Sequence, residues 1–101
     1  MRTSVRLVLA AGALLAAATV AQAECVSKAG KGTGSSDDSA KFQAWEAVLQ
    51  ATDWGMWASW MAGSQKVGQA PGYEVRDYRT TCKDGGLGRV CTAQARLCKA
   101  S

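Results

Sequence analysis

The chain has 101 residues, which is enough for one small domain, and its formal net charge is only +4. It contains no histidine, which excludes Ser-His-Asp and Cys-His catalysis and removes the commonest transition-metal ligand. The weak charge and the scattered acidic residues also argue against nucleic-acid binding and against a carboxylate-pair enzyme. We therefore expect a non-enzymatic domain with no catalytic residues, no metal, no cofactor and no nucleic-acid partner.

The first 23 residues have the pattern of a cleavable secretory signal. Arg2 and Arg6 supply a positive start, and residues 7–20 are apolar, small or uncharged. The small-x-small sequence at 21–23 then matches a signal-peptidase site. An apolar run of about 14 residues is shorter than the roughly 20 that span a bilayer, so cleavage is favoured over a membrane anchor. We expect a mature protein that starts at Glu24, in the periplasm or the medium, without stable insertion into a membrane.

All four cysteines lie after the predicted signal: Cys25, Cys82, Cys91 and Cys98. An even number of cysteines in a short exported chain predicts a disulfide framework. No Cys-x-x-Cys is present, so the spacing of a thioredoxin-like redox pair or of a zinc knuckle is missing. A zinc site built from the four cysteines is the alternative to disulfides.

The mature chain begins with a glycine-rich and serine-rich stretch, residues 24–38, which predicts a flexible leader without a burial pattern. Residues 36–39 are all of types that cap helix N-termini. A helix is predicted over about 39–52, because apolar side chains recur there at helical spacing. A second helical piece is predicted over about 54–62, separated from the first or kinked near 53–55.

Residues 63–72 contain three glycines and the single proline of the chain, and they predict a loop. Residues 73–82 are rich in aromatic and β-branched types, and residues 89–98 alternate small or apolar with polar side chains, so both predict strands. The glycine-rich segment between them predicts a hairpin, with Gly86-Leu87 as the central residues of a type II′ turn.

The register that follows from this turn puts three pairs of residues on one face together with Leu97: Cys82 with Cys91, Thr80 with Ala93, and Tyr78 with Ala95. Cys82 and Cys91 then form a non-hydrogen-bonded pair, in which side chains approach most closely. This favours a Cys82–Cys91 disulfide and leaves Cys25–Cys98 to join the two ends. The predicted fold is α+β: residues 39–101 form one small domain in which an N-terminal helical segment packs on a disulfide-linked antiparallel hairpin.

The segment Trp57-Ala58-Ser59-Trp60, followed by cysteines at 82, 91 and 98, resembles short exported proteins of unknown function from Gram-negative bacteria. The resemblance covers roughly residues 44–98. It implies an exported protein with the same α+β fold, and it implies no particular activity.

Four tryptophans, Trp45, Trp54, Trp57 and Trp60, fall within 16 residues. Trp45 shares the apolar stripe of the first helix, so we expect it to be buried against Ala93, Ala95 and Leu97. Trp54 stands outside that stripe and should be the most exposed of the four. Either the remaining tryptophans complete the core, or they join Trp54 in an aromatic surface formed by Trp54, Trp57 and Trp60.

Such a surface could stack on the sugars of an envelope polysaccharide or anchor another exported protein, as an inhibitor does. The alternative is a structural or stress-related periplasmic protein with no specific ligand. The basic residues Arg76, Arg79, Lys83 and Arg89 predict either a solvated face or a contact with an anion or the cell wall. The hairpin register predicts Arg79 and Lys83 on its outer face and Arg76 on the other.

Overall fold

The computed structural model of the protein describes residues 24–99. The predicted signal segment at 1–23 and the last two residues lie outside this range. The elements follow in the order β1 (Cys25–Gly34), α1 (Asp37–Thr52), α2 (Trp54–Ala62), β2 (Tyr73–Gly85) and β3 (Gly88–Lys99). The three strands form one antiparallel sheet in the order β1-β3-β2, and the helices cover one of its faces. The predicted α+β class is confirmed.

The predicted flexible leader is wrong, because most of it forms strand β1. This strand pairs with β3 from Cys25 opposite Cys98 to Gly34 opposite Arg89, and the sheet therefore has a third strand beside the hairpin. The glycines that suggested flexibility provide room for helix α1 instead. A β-carbon added to Gly30 would lie 2.7 Å from the carbonyl oxygen of Ala44, closer than real side chains come.

Helix α1 begins two residues earlier than predicted, and a capping box fixes its start. The hydroxyl of Ser36 accepts a hydrogen bond from the backbone N–H of Ser39, and the Ser39 hydroxyl accepts one from the N–H of Ser36. Of the two predicted alternatives, a kinked helix and two separate helices, the second is confirmed, and Asp53 lies between the two helices. Asp53 ends α1 and caps α2, because its carboxylate accepts hydrogen bonds from the N–H groups of Gly55 and Met56 at 2.9 and 3.1 Å.

The hairpin has the predicted two-residue connection, and Gly86 has φ 52° as the first central residue of a type II′ turn requires. Cys82 opposite Cys91 and Thr80 opposite Ala93 are confirmed. Farther from the turn the predicted register fails, because a bulge interrupts the pairing between Arg76 and Arg79.

Asp77 lies in this bulge with φ 54°, in the left-handed region. The extra residue reverses the alternation of side chains in the first half of β2. Val75 therefore packs against the core. Arg76 lies beside Arg79 on the outer face, which is the face of the sheet that points away from the helices. The predicted placement of Arg76 on the helix-facing side is wrong for this reason.

The core lies between the helices and β3, which is the central strand. Its buried residues are Ala40, Ala44, Trp45, Val48 and Leu49 of α1, Met56 and Trp60 of α2, Ala70 of the loop, and Cys91, Ala93, Ala95 and Leu97 of β3. Trp45 thus lies in one cluster with the three β3 residues predicted to contact it. Within residues 24–99, no helix is long and apolar enough to cross a bilayer.

Both predicted disulfides are confirmed, Cys25–Cys98 and Cys82–Cys91. Each joins β3 to one of its two neighbours. Because Cys91 and Cys98 are an odd number of residues apart on one strand, they point to opposite faces of the sheet. The Cys82–Cys91 bridge is on the helix-covered face, and the Cys25–Cys98 bridge is on the other.

Candidate functional site

The four tryptophans separate into two that are buried and two that reach the surface. Trp45 and Trp60 are fully buried, Trp57 is half-buried, and Trp54 is 63% exposed. The expectation that Trp54 is the most exposed of the four is confirmed. The inclusion of Trp60 in an aromatic surface is wrong, since its side chain lies inside the core.

The buried tryptophans are held by hydrogen bonds to the loop that joins α2 to β2. The indole N–H of Trp45 donates to the carbonyl oxygen of Gln69, and that of Trp60 donates to the carbonyl oxygen of Lys66, both at 2.9 Å. The Trp60 ring also packs on Phe42, with ring centroids 5.1 Å apart. Each buried indole therefore has its single polar group satisfied, and both residues are part of the fold.

Trp54 and Trp57 form what we call the tryptophan pair. Their rings meet edge to face, with centroids 5.2 Å apart and an angle of 80° between the planes. Trp57 packs against the core with part of its surface, and its indole N–H donates to Oε2 of Glu46 on α1 at 3.2 Å. The Trp57 ring is thereby fixed, and it supports the exposed Trp54 ring from the side.

Two carboxylates lie next to the tryptophan pair, one through a hydrogen bond and one through its position in the chain. Glu46 binds the Trp57 indole, and Asp53 directly precedes Trp54 in the chain. Hydrogen bonds from the Met56 backbone and from the Tyr73 hydroxyl, which donates to Oδ2 at 3.0 Å, lower the pKa of Asp53. Burial and the hydrogen bond to Asp53 raise the pKa of Tyr73. An aromatic ring edged by carboxylates can bind the apolar face of a ligand and accept hydrogen bonds from its hydroxyl groups.

Within residues 24–99, one group of potential metal ligands comes together, with ligand atoms of Asp37, Cys82 and Cys91 within 4.8 Å of one another. Both cysteines belong to the Cys82–Cys91 disulfide, and a disulfide sulfur is not the thiolate that binds zinc. The zinc alternative for the four cysteines is therefore wrong, since all four are consumed in disulfides.

Three of the four predicted basic residues lie on the same face of the sheet, and Arg89 lies on the other. Arg89 forms ion pairs with Asp37 and Asp84, which raise its pKa and attach the start of α1 to the hairpin. Arg76 pairs with Glu74 at 2.9 Å on the exposed strand β2. Arg79 and Lys83 lie on the outer face of the sheet, as predicted.

Sequence reasoning missed Glu46 and Asp53 as parts of the site. Glu46 precedes Trp57 by 11 residues, and only the packing of α1 against α2 brings the two side chains together. Asp53 carried a signal only as a helix cap, because aspartate is a favoured N-cap residue. Comparisons of this chain with known protein families, with curated proteins and with solved structures found no match.

Proposed function

We propose that this chain is a small exported, non-enzymatic domain that binds uncharged sugar rings of an envelope polysaccharide on the tryptophan pair. One observation carries the proposal: Trp54 is 63% exposed, whereas the other three tryptophans are buried or half-buried. Export is supported by the signal pattern at 1–23, by the resemblance to exported proteins and by two disulfides, which are typical of oxidising compartments.

The contact with Trp57 restricts the Trp54 ring before any ligand arrives. Trp57 contacts it edge to face, and Trp57 is itself held by Glu46 and the core. A side chain that is already ordered loses little conformational entropy when a ligand packs on it. An exposed and ordered indole is thus a favourable platform for the C–H face of a sugar.

The size of the apolar surface favours a sugar over a protein partner. A single tryptophan offers roughly 150–250 Å², whereas a stable protein interface buries about 800 Å² on each side. The most exposed large apolar residue, Leu87, is at the tip of the hairpin, and Trp54 is at the start of α2 near the other end of β2. The two therefore do not combine into one large patch.

The bordering carboxylates favour uncharged sugars. Glu46 and Asp53 would repel an acidic ring placed on Trp54. Both Asp53 oxygens already accept hydrogen bonds within the fold, whereas Oε1 of Glu46 can accept one from a sugar hydroxyl. The alternative hypothesis, a structural or stress-related protein with no specific ligand, gives Trp54 no role beyond its contact with Trp57.

The test is retention of the 24–101 protein by three uncharged polysaccharides, chitin, cellulose and curdlan. We expect retention by at least one of the three, and loss of most of it in W54A. The matched control is L87A, which removes a side chain that is 79% exposed at the hairpin tip and should leave retention unchanged. Absence of retention by all three, or equal retention of W54A and the native protein, would contradict the proposal.

A further inference from the structure

The face of the sheet that points away from the helices, here called the outer face, is polar and carries five cations. Strand alternation and the register place the following residues on it: Ser27, Ala29, Lys31 and Thr33 of β1, Val90, Thr92, Gln94 and Arg96 of β3, and Arg76, Arg79, Thr81 and Lys83 of β2. The cations are spread over all three strands, and two acidic residues lie among them: Glu74, opposite Cys98 on the same face, and Asp77, in the bulge between Arg76 and Arg79.

Arg76 and Arg96 are directly opposite each other on neighbouring strands, and Arg79 follows opposite Gln94. Like charges in directly opposite positions destabilise a sheet. Glu74 relieves Arg76 through its ion pair, but within residues 24–99 no carboxylate lies within 4.0 Å of the guanidinium groups of Arg79 or Arg96. The fold thus places five cations against two carboxylates on this side of the sheet, so the net charge of the outer face stays positive.

The bulge at Asp77 is what brings Arg76 and Arg79 to the same face. In an unbroken strand, residues three apart point to opposite sides of the sheet. Here the bulge adds one residue between Arg76 and Arg79, so both side chains point to the outer face. Asp77, which lies in the bulge, adopts φ 54°. Bulges that re-aim side chains and non-glycine residues in the left-handed region are both concentrated at functional sites.

Arg79 and Arg96 also line one shallow depression of about 300 Å³, together with Ser27 and Gln94. Lys28 and Asp77 line it as well, so three cations accompany one carboxylate and the net charge of the depression is positive. A guanidinium group binds a carboxylate through two parallel hydrogen bonds, and serine and glutamine side chains can bind hydroxyl groups. The depression therefore combines charge recognition with hydrogen-bonding groups suited to a hydroxylated ligand.

We propose that the outer face binds a linear acidic polysaccharide, whose carboxylates contact Arg79 and Arg96 while the polymer continues toward Arg76 or Lys31. Polysaccharide is favoured over single-stranded nucleic acid because the outer face carries no aromatic side chain on which bases could stack. It is favoured over duplex DNA because the chain has little excess charge, only +2 once Arg2 and Arg6 are removed with the signal.

This inference is independent of the tryptophan pair, which lies on the helical side of the molecule and is bordered by carboxylates. The two surfaces are proposed to bind ligands of different charge, so each proposal can be tested without the other. An uncharged polysaccharide should report on Trp54, and an acidic one should report on the outer face.

The test is the affinity of the 24–101 protein for polygalacturonate, measured by titration calorimetry at low and at physiological salt. R79Q/R96Q should weaken binding by about tenfold or more, because it removes two charge-assisted contacts. The control K41Q/K66Q removes the same charge from the helix and loop regions and should weaken binding much less. W54A should bind polygalacturonate as the native protein does. Thermal melting should show that R79Q/R96Q is folded, since it removes like-charge repulsion.

Equal weakening in both double variants would mean that only net charge matters, and it would overturn the assignment. Preference for duplex DNA over polygalacturonate at equal concentrations of negative charge would also overturn it. Retention of neutral polysaccharides by R79Q/R96Q, with polygalacturonate binding lost, would support two separate surfaces.

Discussion

Gly30 of β1 and Ala44 of α1 are in such close contact that a β-carbon on Gly30 would lie 2.7 Å from the Ala44 carbonyl oxygen. Gly32, two residues along the strand, faces the same helix with even less room. A sequence stretch that has the composition of a flexible leader is thus the surface on which α1 packs. The close approach also explains why α1 covers β1 as well as β3.

G30A should destabilise the domain by about 3 kcal/mol. Overpacking costs about 1–3 kcal/mol, and here the added methyl group would meet backbone atoms of α1 that cannot turn aside, so the upper end is expected. Urea unfolding measures the loss. K31A changes the next residue on the outer face and should cost less than about 1 kcal/mol. Similar losses in the two variants would contradict the packing described here.

Removal of the Cys25–Cys98 disulfide should destabilise the domain more than removal of Cys82–Cys91. The first closes a loop with a sequence separation of 73 and the second one of 9. In the chain-entropy model these bridges contribute about 4–4.5 and about 2.5–3 kcal/mol. Denaturant unfolding of C25A/C98A and C82A/C91A gives the comparison. The opposite order would show that strain or residual structure, and not loop closure, controls their effect.

D53N should lower stability at neutral pH but reduce the loss of stability in acid. Hydrogen bonds from Met56 and Tyr73 lower the pKa of Asp53 in the folded protein. Such a group stabilises the fold above the pKa of the unfolded chain, about 3.9, and this contribution is lost as the pH falls through the folded value. Melting temperatures between pH 7 and pH 2.5 should therefore converge for D53N and the native protein as the pH falls.

Y73F provides a check on the cause, because it removes one hydrogen bond to Asp53 and leaves the carboxylate in place. The stability that Y73F loses between neutral and acidic pH should lie between the losses of the native protein and of D53N. If all three proteins lose stability in parallel, Asp53 does not contribute in the way described.

W45A and W54A should differ sharply in stability. Trp45 is fully buried and donates a hydrogen bond to Gln69, so its replacement should cost about 3–5 kcal/mol and leave the domain largely unfolded. Trp54 contacts Trp57 at one edge, and W54A should cost no more than about 1 kcal/mol. Guanidinium unfolding curves measure the free energy of unfolding of both variants. Equal and large losses of stability would mean that Trp54 is a packing residue.

The sequence was sufficient to predict the helices, the hairpin and both disulfides, because helix caps, side-chain alternation and turn chemistry act over a few residues. It was insufficient for β1, since Gly30 and Gly32 have a role only when α1 lies against them. The register near Asp77 was missed because no local pattern marks a bulge at that position. Glu46 was missed for the same reason as β1, since its contact with Trp57 depends on how two helices pack.

The most direct test of the tryptophan pair as a binding surface is a ¹H–¹⁵N NMR titration of the 24–101 protein with chitohexaose and cellohexaose, following the four indole N–H signals. Trp54 is exposed and Trp57 adjoins it, whereas Trp45 and Trp60 are buried and hydrogen-bonded to the loop. We expect the Trp54 and Trp57 signals to shift and saturate with one of the two oligosaccharides, and the Trp45 and Trp60 signals to stay in place. Unchanged Trp54 and Trp57 signals with both oligosaccharides would contradict the claim.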